Sequence, residues 1–560
     1  MNQIFIRKIF KIAFVVISCF PLTMMAQPSW VKKASKSVFT LKTFAEDGSL
    51  IGSSNGFFTS YKGDAISNFT PFKGASKAVV IDASGKEMAV VSIVGVNDMY
   101  DVVKFRVNGK TQPLAITTGT TAIGEKVWLL PYHELKQIPS GTIRKAETFQ
   151  GEYHYYTVAL SMPANTVSTP LINQTGEVIG LMQQPATDKD TLSYAISARF
   201  VDSLKISGFG MNEQTLLQTK IKKELPDNIK EAVLALYMAS SRQDSAAYVN
   251  LVEDFIQKFP QASDGYLYRA QLKARYADFA GADADMERVI NYSLKKDDAH
   301  YNYARLIYNK VIFQADKPYD AWSLDKAINE IRLANTLNPQ PTYHQLEANI
   351  LFAQKKYDEA YDIYKALTTT NLKSAELYFS AARCKEMVKD TTAMLALMDS
   401  AMSTFTKPYL KEVAPYLWAR SQARLSAKKY REAISDMNDY EELMKATVND
   451  NFYYIRHQAE IEGRLYQQAL NDITRAIVMN PKETFYYAEK ASLEIRVGLY
   501  DNAIATAKEC ISIDANDSDG YMFLGVAQCL KGNKTEGIKN LQKAKDLGNL
   551  QADKLIQKYQ

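Results

Sequence analysis

The chain has 560 residues, too many for one hydrophobic core, so three or more folding units are expected. An apolar content of 46% with 23% charge is that of a globular protein and excludes a disordered chain. The formal net charge is +5, but Arg7, Lys8 and Lys11 sit in a leader-like segment. The remainder, about +2, is too small to point to nucleic acid or an anionic membrane as partner.

Residues 1–26 read as an export signal. A basic stretch ends at Lys11, an apolar core starts at Ile12, and Ala26 offers a small residue for cleavage before Gln27. The apolar run is short and broken by Pro21, so no membrane span is expected. Two processing routes fit. One is cleavage after Ala26; the other is acylation of Cys19, because Val16-Ile17-Ser18-Cys19 resembles a lipobox. Phe20, Leu22, Met24 and Met25 continue apolar past the cysteine and favour the first route. Either route sends the protein out of the cytoplasm, to the periplasm, the outer membrane or the medium of a Gram-negative bacterium. The other cysteines, Cys384, Cys510 and Cys529, form no C-x-x-C or Cys/His spacing, so no metal site, disulfide framework or cofactor is expected. They read as small buried hydrophobes on helices, with a Cys510–Cys529 bridge as the alternative.

Residues 29–207 form a first region of short β-rich runs. Ser37–Phe44, Ile51–Ser60, Ala78–Asp82 and Met88–Val94 come first, separated by Gly and Asp-Gly punctuation. Lys126–Pro131, Gly141–Thr148, Tyr153–Ser161 and Gly176–Met182 form a second set. Many short strands without helical period predict an antiparallel barrel or sandwich.

Motifs in this region occur in an order that resembles trypsin-like serine proteases, in particular the high-temperature-requirement type. Asn55-Gly56-Phe57-Phe58 and Gly63-Asp64-Ala65-Ile66-Ser67-Asn68 resemble the family lead-in G-S-G-F…G-x-x-x-T-N. Asp101-Val102-Val103-Lys104-Phe105-Arg106-Val107 resembles the strand that carries the acid. Gly141-Thr142-Ile143 resembles a turn of the second barrel, and Leu192-Ser193-Tyr194-Ala195-Ile196-Ser197 its closing strand. Asn165 to Leu171 takes the place of the nucleophile loop G-N-S-G-G-P-L, with Pro170, Leu171, Asn173, Gly176, Val178, Ile179 and Gly180 matching. The resemblance implies a double β-barrel and a triad of serine, histidine and aspartate. Counted from these motifs, the three positions hold Val167, Thr70 and Asp101. Valine has no proton to lose and threonine is no base, so the resemblance implies a fold without its reaction. Ser168 lies one place along, but its use would shift the loop against Pro170. His133 and His154 fall away from the base position. A working serine endopeptidase with a non-standard site is the alternative.

Residues 208–225 read as a linker, with Pro226 opening a helical region, 226–560. Tyr453, Tyr487 and Tyr521 recur every 34 residues, as do Ala469, Ala503 and Gly537, and Ala476, Cys510 and Ala544. Lys356-Tyr357-Asp358-Glu359-Ala360, Lys429-Tyr430-Arg431-Glu432-Ala433, Leu465-Tyr466-Gln467-Gln468-Ala469 and Leu499-Tyr500-Asp501-Asn502-Ala503 open successive second helices. This pattern resembles the tetratricopeptide repeat, in about eight copies after a degenerate opening pair at Asn228–Pro260. Val311–Trp322 inserts into one copy, and Leu541–Tyr559 is expected to supply a closing helix. The fold expected is therefore multidomain: an all-β double barrel followed by an all-α superhelix. The repeat resemblance implies protein or peptide partners held in its groove, with Tyr301, Arg305 and Tyr454 as candidate contacts by helical position. For each of these, packing between repeats is the competing reading.

Overall fold

The computed structural model describes residues 28–132, 138–163, 165–184, 191–241 and 245–560; the stretch expected as an export signal, with Cys19, and His133 lie outside them. The chain divides into two compact units, Met1–Tyr292 and Ser293–Gln560.

The first unit begins with two closed antiparallel barrels of six strands each. The first joins β1 (Val38–Phe44), β2 (Leu50–Phe58), β3 (Asp64–Ser67), β4 (Lys77–Asp82), β5 (Glu87–Asn97) and β6 (Val102–Val107) in the order β1-β2-β3-β6-β5-β4. The second joins β7 (Lys126–Leu129), β8 (Ser140–Phe149), β9 (Tyr153–Ala159), β10 (Pro170–Ile172), β11 (Val178–Met182) and β12 (Ser193–Ser197) in the equivalent order β10-β11-β12-β9-β8-β7. This is the double-barrel architecture that the motif order implied.

Alternation explains the barrel cores. Along β1, Phe39 and Leu41 point inward and meet Phe58, Phe72 and Phe105, with the Phe39 and Phe58 rings 4.7 Å apart. Leu129, Ile143, Tyr156, Leu171 and Met182 fill the second barrel. A third cluster takes Phe57 and Ile66 from one barrel and Ile172, Val178 and Leu181 from the other, so the two are fused along an apolar seam. Gly56 is required where β2 crosses it. A Cβ there would lie 2.3 Å from the Ile66 carbonyl oxygen and 2.5 Å from the Phe39 ring. The stretch expected as a linker lies on the first barrel, with Leu216 and Ile221 in that barrel's core.

Helices follow from Ile229. The first unit ends with Ile229–Ser240, Ser245–Lys258, Ser263–Arg275 and Phe279–Tyr292. Asn228 starts the series by accepting from the N–H groups of Lys230 and Glu231. In the second unit each first helix is followed by its partner, as in Asp450–Glu462 with Tyr466–Met479 and Thr484–Arg496 with Tyr500–Ile513. Tyr357, Tyr430, Tyr466 and Tyr500 are each the first residue of a second helix. The recurring small residues are where helices touch: Ala469, Ala476, Ala503, Cys510 and Ala544 have no exposed surface. At Gly537 an added Cβ would sit 2.3 Å from the Cys529 sulfur.

The turn between first and second helices repeats as well. Its left-handed residue is Ala277, Lys355, Lys389, Lys428, Arg464, Gly498 or Gly532, all at positive φ. The insert lengthens one first helix to Phe313 and returns Trp322 onto Tyr303, 6.3 Å ring to ring. The closing helix differs from expectation. Leu541 belongs to Lys534–Asp546, Gly548 at φ +90° breaks the run, and the last helix is Ala552–Tyr559. Cys384, Cys510 and Cys529 are free, buried thiols, and burial pushes the Cys510 thiol up to about 12. No described helix is long and apolar enough to cross a membrane.

Candidate functional site

The seam positions singled out by the motifs come together. β3 ends at Ser67 and delivers Asn68, and a short 3-10 turn, Thr70–Phe72, follows. The connection from β5 to β6 brings Asp101, at φ +48°, to face them. Asp101 Oδ1 accepts from the Thr70 N–H at 2.6 Å and from Thr70 Oγ1 at 2.9 Å. Its Oδ2 accepts from Asn68 Nδ2 at 3.3 Å. Asp101, expected at the acid position, therefore holds Thr70, expected at the base position, which presents a hydroxyl and not an imidazole.

The loop of the second barrel reaches this pair through asparagines. Ser168 Oγ donates to Asn68 Oδ1 at 3.0 Å, and Ser54 Oγ donates to the same oxygen. Asn55 Nδ2 donates to the carbonyls of Asn165 at 2.6 Å and Val167 at 3.3 Å. Asn165 and Ser168 both take left-handed backbone, at φ +60° and +64°, where the motif has glycine. Ser168 has no exposed surface, and its hydroxyl proton lies against an amide oxygen that is far too weak a base to remove it. Val167 is half-buried at the crest of the loop. His154 stacks on Tyr156 in β9. Asn55, Asn68 and Ser54 were not singled out as site residues, although Asn55 and Asn68 lie within matched motifs. Their side chains form the polar clamp that joins the barrels.

In the second unit, Tyr301 and Tyr454 hold corresponding places on two first helices. Asp297 and Asp450, at the helix starts, each accept from an asparagine of a following turn, Asn338 and Asn480, and these bonds hold both carboxylates below the usual range. Each aspartate also accepts from the tyrosine of the next first helix, Tyr343 or Tyr486. Tyr301 stacks on Tyr343 at 4.8 Å, and Tyr454 lies 5.7 Å from Tyr486 and 5.3 Å from Phe485. Both rings are engaged in packing between repeats. Arg305 is exposed, with its guanidinium 5.4 Å from the Tyr301 ring and bonded to Asn302. A cavity of about 580 Å³ beside them is lined by Lys295, Asp297, Tyr301, Asn338, Gln340 and Tyr343. Of the three candidates, Arg305 is the most open to solvent, while Tyr301 and Tyr454 are half-buried.

No protein-family model matches the chain. Among curated proteins it is similar to small glutamine-rich tetratricopeptide repeat-containing protein 2 of Saccharomyces cerevisiae, 34% identical over 82 residues, 15% of this chain and 24% of that protein. It is 26% identical to the SGT1 homolog of Bos taurus over 87 residues, 16% of this chain and 26% of that protein. Over 121 residues it is 25% identical to DnaJ homolog subfamily C member 7 of Homo sapiens, 22% of this chain and 23% of that protein. The chain thus spans about a quarter of the length of these relatives. Among solved structures it is similar to the active form of the Rv3671c protease of M. tuberculosis, at 19% identity and a TM-score of 0.28, covering 32% of this chain and 82% of that one. An inactive mutant form of the same protein matches with the same identity and TM-score, covering 91% of its chain. Two closed barrels with the motifs in order, and helix pairs with the 34-residue columns in place, give a trypsin-like double barrel joined to a tetratricopeptide array.

Proposed function

We propose that this protein is a non-catalytic scaffold of the cell envelope, in which a protease-like double barrel is carried on a protein-binding repeat array. The observation that supports this most directly is the Thr70–Asp101 contact: the orienting acid is spent on a hydroxyl and a backbone amide. With Val167 in the nucleophile position, the site has neither an attacking atom nor a base to activate one. The similarity to tetratricopeptide proteins supports protein or peptide partners for the array, and the exposed Arg305 is the contact proposed to meet them.

A serine-reactive fluorophosphonate probe, applied to the mature protein alongside an unfolded protein substrate, tests the reading. The expected result is no label and no cleavage. Covalent label that disappears on Ser168→Ala would overturn it in favour of an endopeptidase with a displaced nucleophile. Thr70→His with Val167→Ser is expected to recover measurable hydrolysis, while Val167→Ser alone is not. Export is proposed from the leader, and the mass of the mature N-terminus checks it: a chain starting at Gln27 for simple cleavage, or a diacylated or triacylated Cys19 for a lipid anchor.

A further inference from the structure

We propose that residues 216–224 are a built-in strap that ties the position of the first helical pair, Ile229–Ser240 and Ser245–Lys258, to the turn carrying Thr70. The strap is bonded on both sides. The Gly74 N–H donates to the Gln218 carbonyl at 2.6 Å, and the Lys220 N–H and Thr219 Oγ1 donate to the Ala75 carbonyl at 2.8 and 3.0 Å. Two residues on, the strap becomes a parallel β-bridge to β5: the Ile93 N–H donates to Lys222 O at 2.7 Å, and the Glu224 N–H to Ile93 O at 2.8 Å. Thr219 is 2% exposed and Ile221 4%, while Gln218, Lys220 and Lys222 are exposed, so one face of the strap is packed into the barrel and the other faces solvent.

The far end is held just as firmly. Leu225 is buried in the helical core with Ala232, Leu236 and Phe255. Lys222 pairs with Asp254 of the second helix at 2.6 Å, while Glu224 beside it stays paired with Arg106 of β6, on the barrel side, at 2.7 Å. Lys258 donates to the Leu225 carbonyl at 2.6 Å. Three residues lie between Ile221, in the barrel core, and Leu225, in the helical core. Extended chain covers at most about 3.5 Å per residue, so the connection reaches about 14 Å at most.

At the other end the grip falls on Gly74 and Ala75, directly after the Thr70–Phe72 turn. Phe72 is anchored in the barrel core 5.3 Å from Phe105, and the Pro71 carbonyl accepts from Thr43. The turn is thus held between the strap on one side and Asp101 of the seam on the other. A displacement of the helical pair is passed along the strap to the residue in the base position, whether or not the cleft is catalytic. The inference therefore stands apart from the proposed loss of activity.

Hydrogen exchange on the full-length mature chain tests it. Leu225→Ala removes an anchor in the helical core and touches nothing in the turn. The expected result is exchange at least tenfold faster at the amides of Lys73–Ser76, with Val178–Met182 of the second barrel unchanged. Thr219→Val, which keeps the volume and removes one bond to Ala75, is expected to give a smaller acceleration at the same amides. Should Leu225→Ala not fold, Lys258→Met removes the bond from the second helix to the Leu225 carbonyl, loosens the same end and is read in the same way. Faster exchange confined to the helices, or spread equally over both barrels, would overturn the strap.

Discussion

The seam between the barrels and the contacts within the helix pairs bury polar groups in opposite ways. In the seam, neutral amides and hydroxyls saturate a single carboxylate, with Thr70 and Asn68 donating to Asp101. In the array, full charges are buried against each other. Arg456 donates to both oxygens of Asp472 at 2.6 and 3.0 Å and to Glu441 of the preceding repeat at 2.7 Å. Arg420 with Asp436, and Arg269 with Asp285, repeat the arrangement between equivalent helices, each time 16 residues apart. The array also leaves valences open: Glu460 Oε2, Glu494 Oε2 and His457 Nε2 are buried with no hydrogen-bond partner among the described residues. The seam loop too leaves one buried atom unmatched, Thr169 Oγ1, so the contrast lies in the charge that is buried. A repeat unit is copied, and its ionic clamp meets a new neighbour each time.

The sharpest way to break this contrast is to remove one arm of a clamp. Arg456→Ala leaves Asp472 and Glu441 with only the half-exposed Arg475 as counter-charge, and the array is expected to lose about 3–5 kcal/mol. In thermal unfolding followed by hydrogen exchange, the peptides of Asp450–Met479 should open first, with the barrels unaffected. Gly56→Ala is the mirror experiment. The Cβ clash with Ile66 O and Phe39 is expected to cost about 3 kcal/mol and lower the barrel transition while the array keeps its own.

The open valences predict a pH effect. Burial, aided by the nearby Asp472 charge, raises the Glu460 carboxyl to about 8 from its usual 4.5. A raised acid binds its proton more tightly when folded, so stability is full below about 4.5 and is lost as pH climbs through about 8. Glu460→Gln should flatten that loss and stabilise the array by about 2–3 kcal/mol at pH 8, with little change at pH 4, measured by denaturant titration. The smallest expected effect lies in the turns. Lys428→Gly relieves a left-handed lysine at φ +59° and should stabilise its repeat by at most about 1 kcal/mol.

Both architectures could be read in the chain because each advertises itself by spacing. The barrel motifs keep their order from Asn55 to Ser197, and the tyrosine and alanine columns keep a period of 34. The meeting of Thr70 with Asp101 followed from the motifs. The clamp at Asn68 did not, because attention to a missing nucleophile overlooks amides that only bind. The shared place of Tyr301 and Tyr454 was hidden by the insert at Val311–Trp322, which throws the period out of step. The strap lies inside 208–225, which reads as a linker because Gly, Asn, Gln and Lys recur in it. Only Leu216, Thr219, Ile221 and Leu225 turn inward, too few to make a strand signal by themselves.

The left-handed turns have a consequence for how the array yields. Lys355, Lys389, Lys428 and Arg464 hold a backbone region that disfavours any Cβ, while Gly498 and Gly532 hold it freely. In a stack where each unit leans only on its neighbours, local penalties are not averaged away. The four middle turns are pre-stressed and the last two relaxed. This difference favours an array that gives way from its interior before its C-terminal end, the reverse of ordinary fraying.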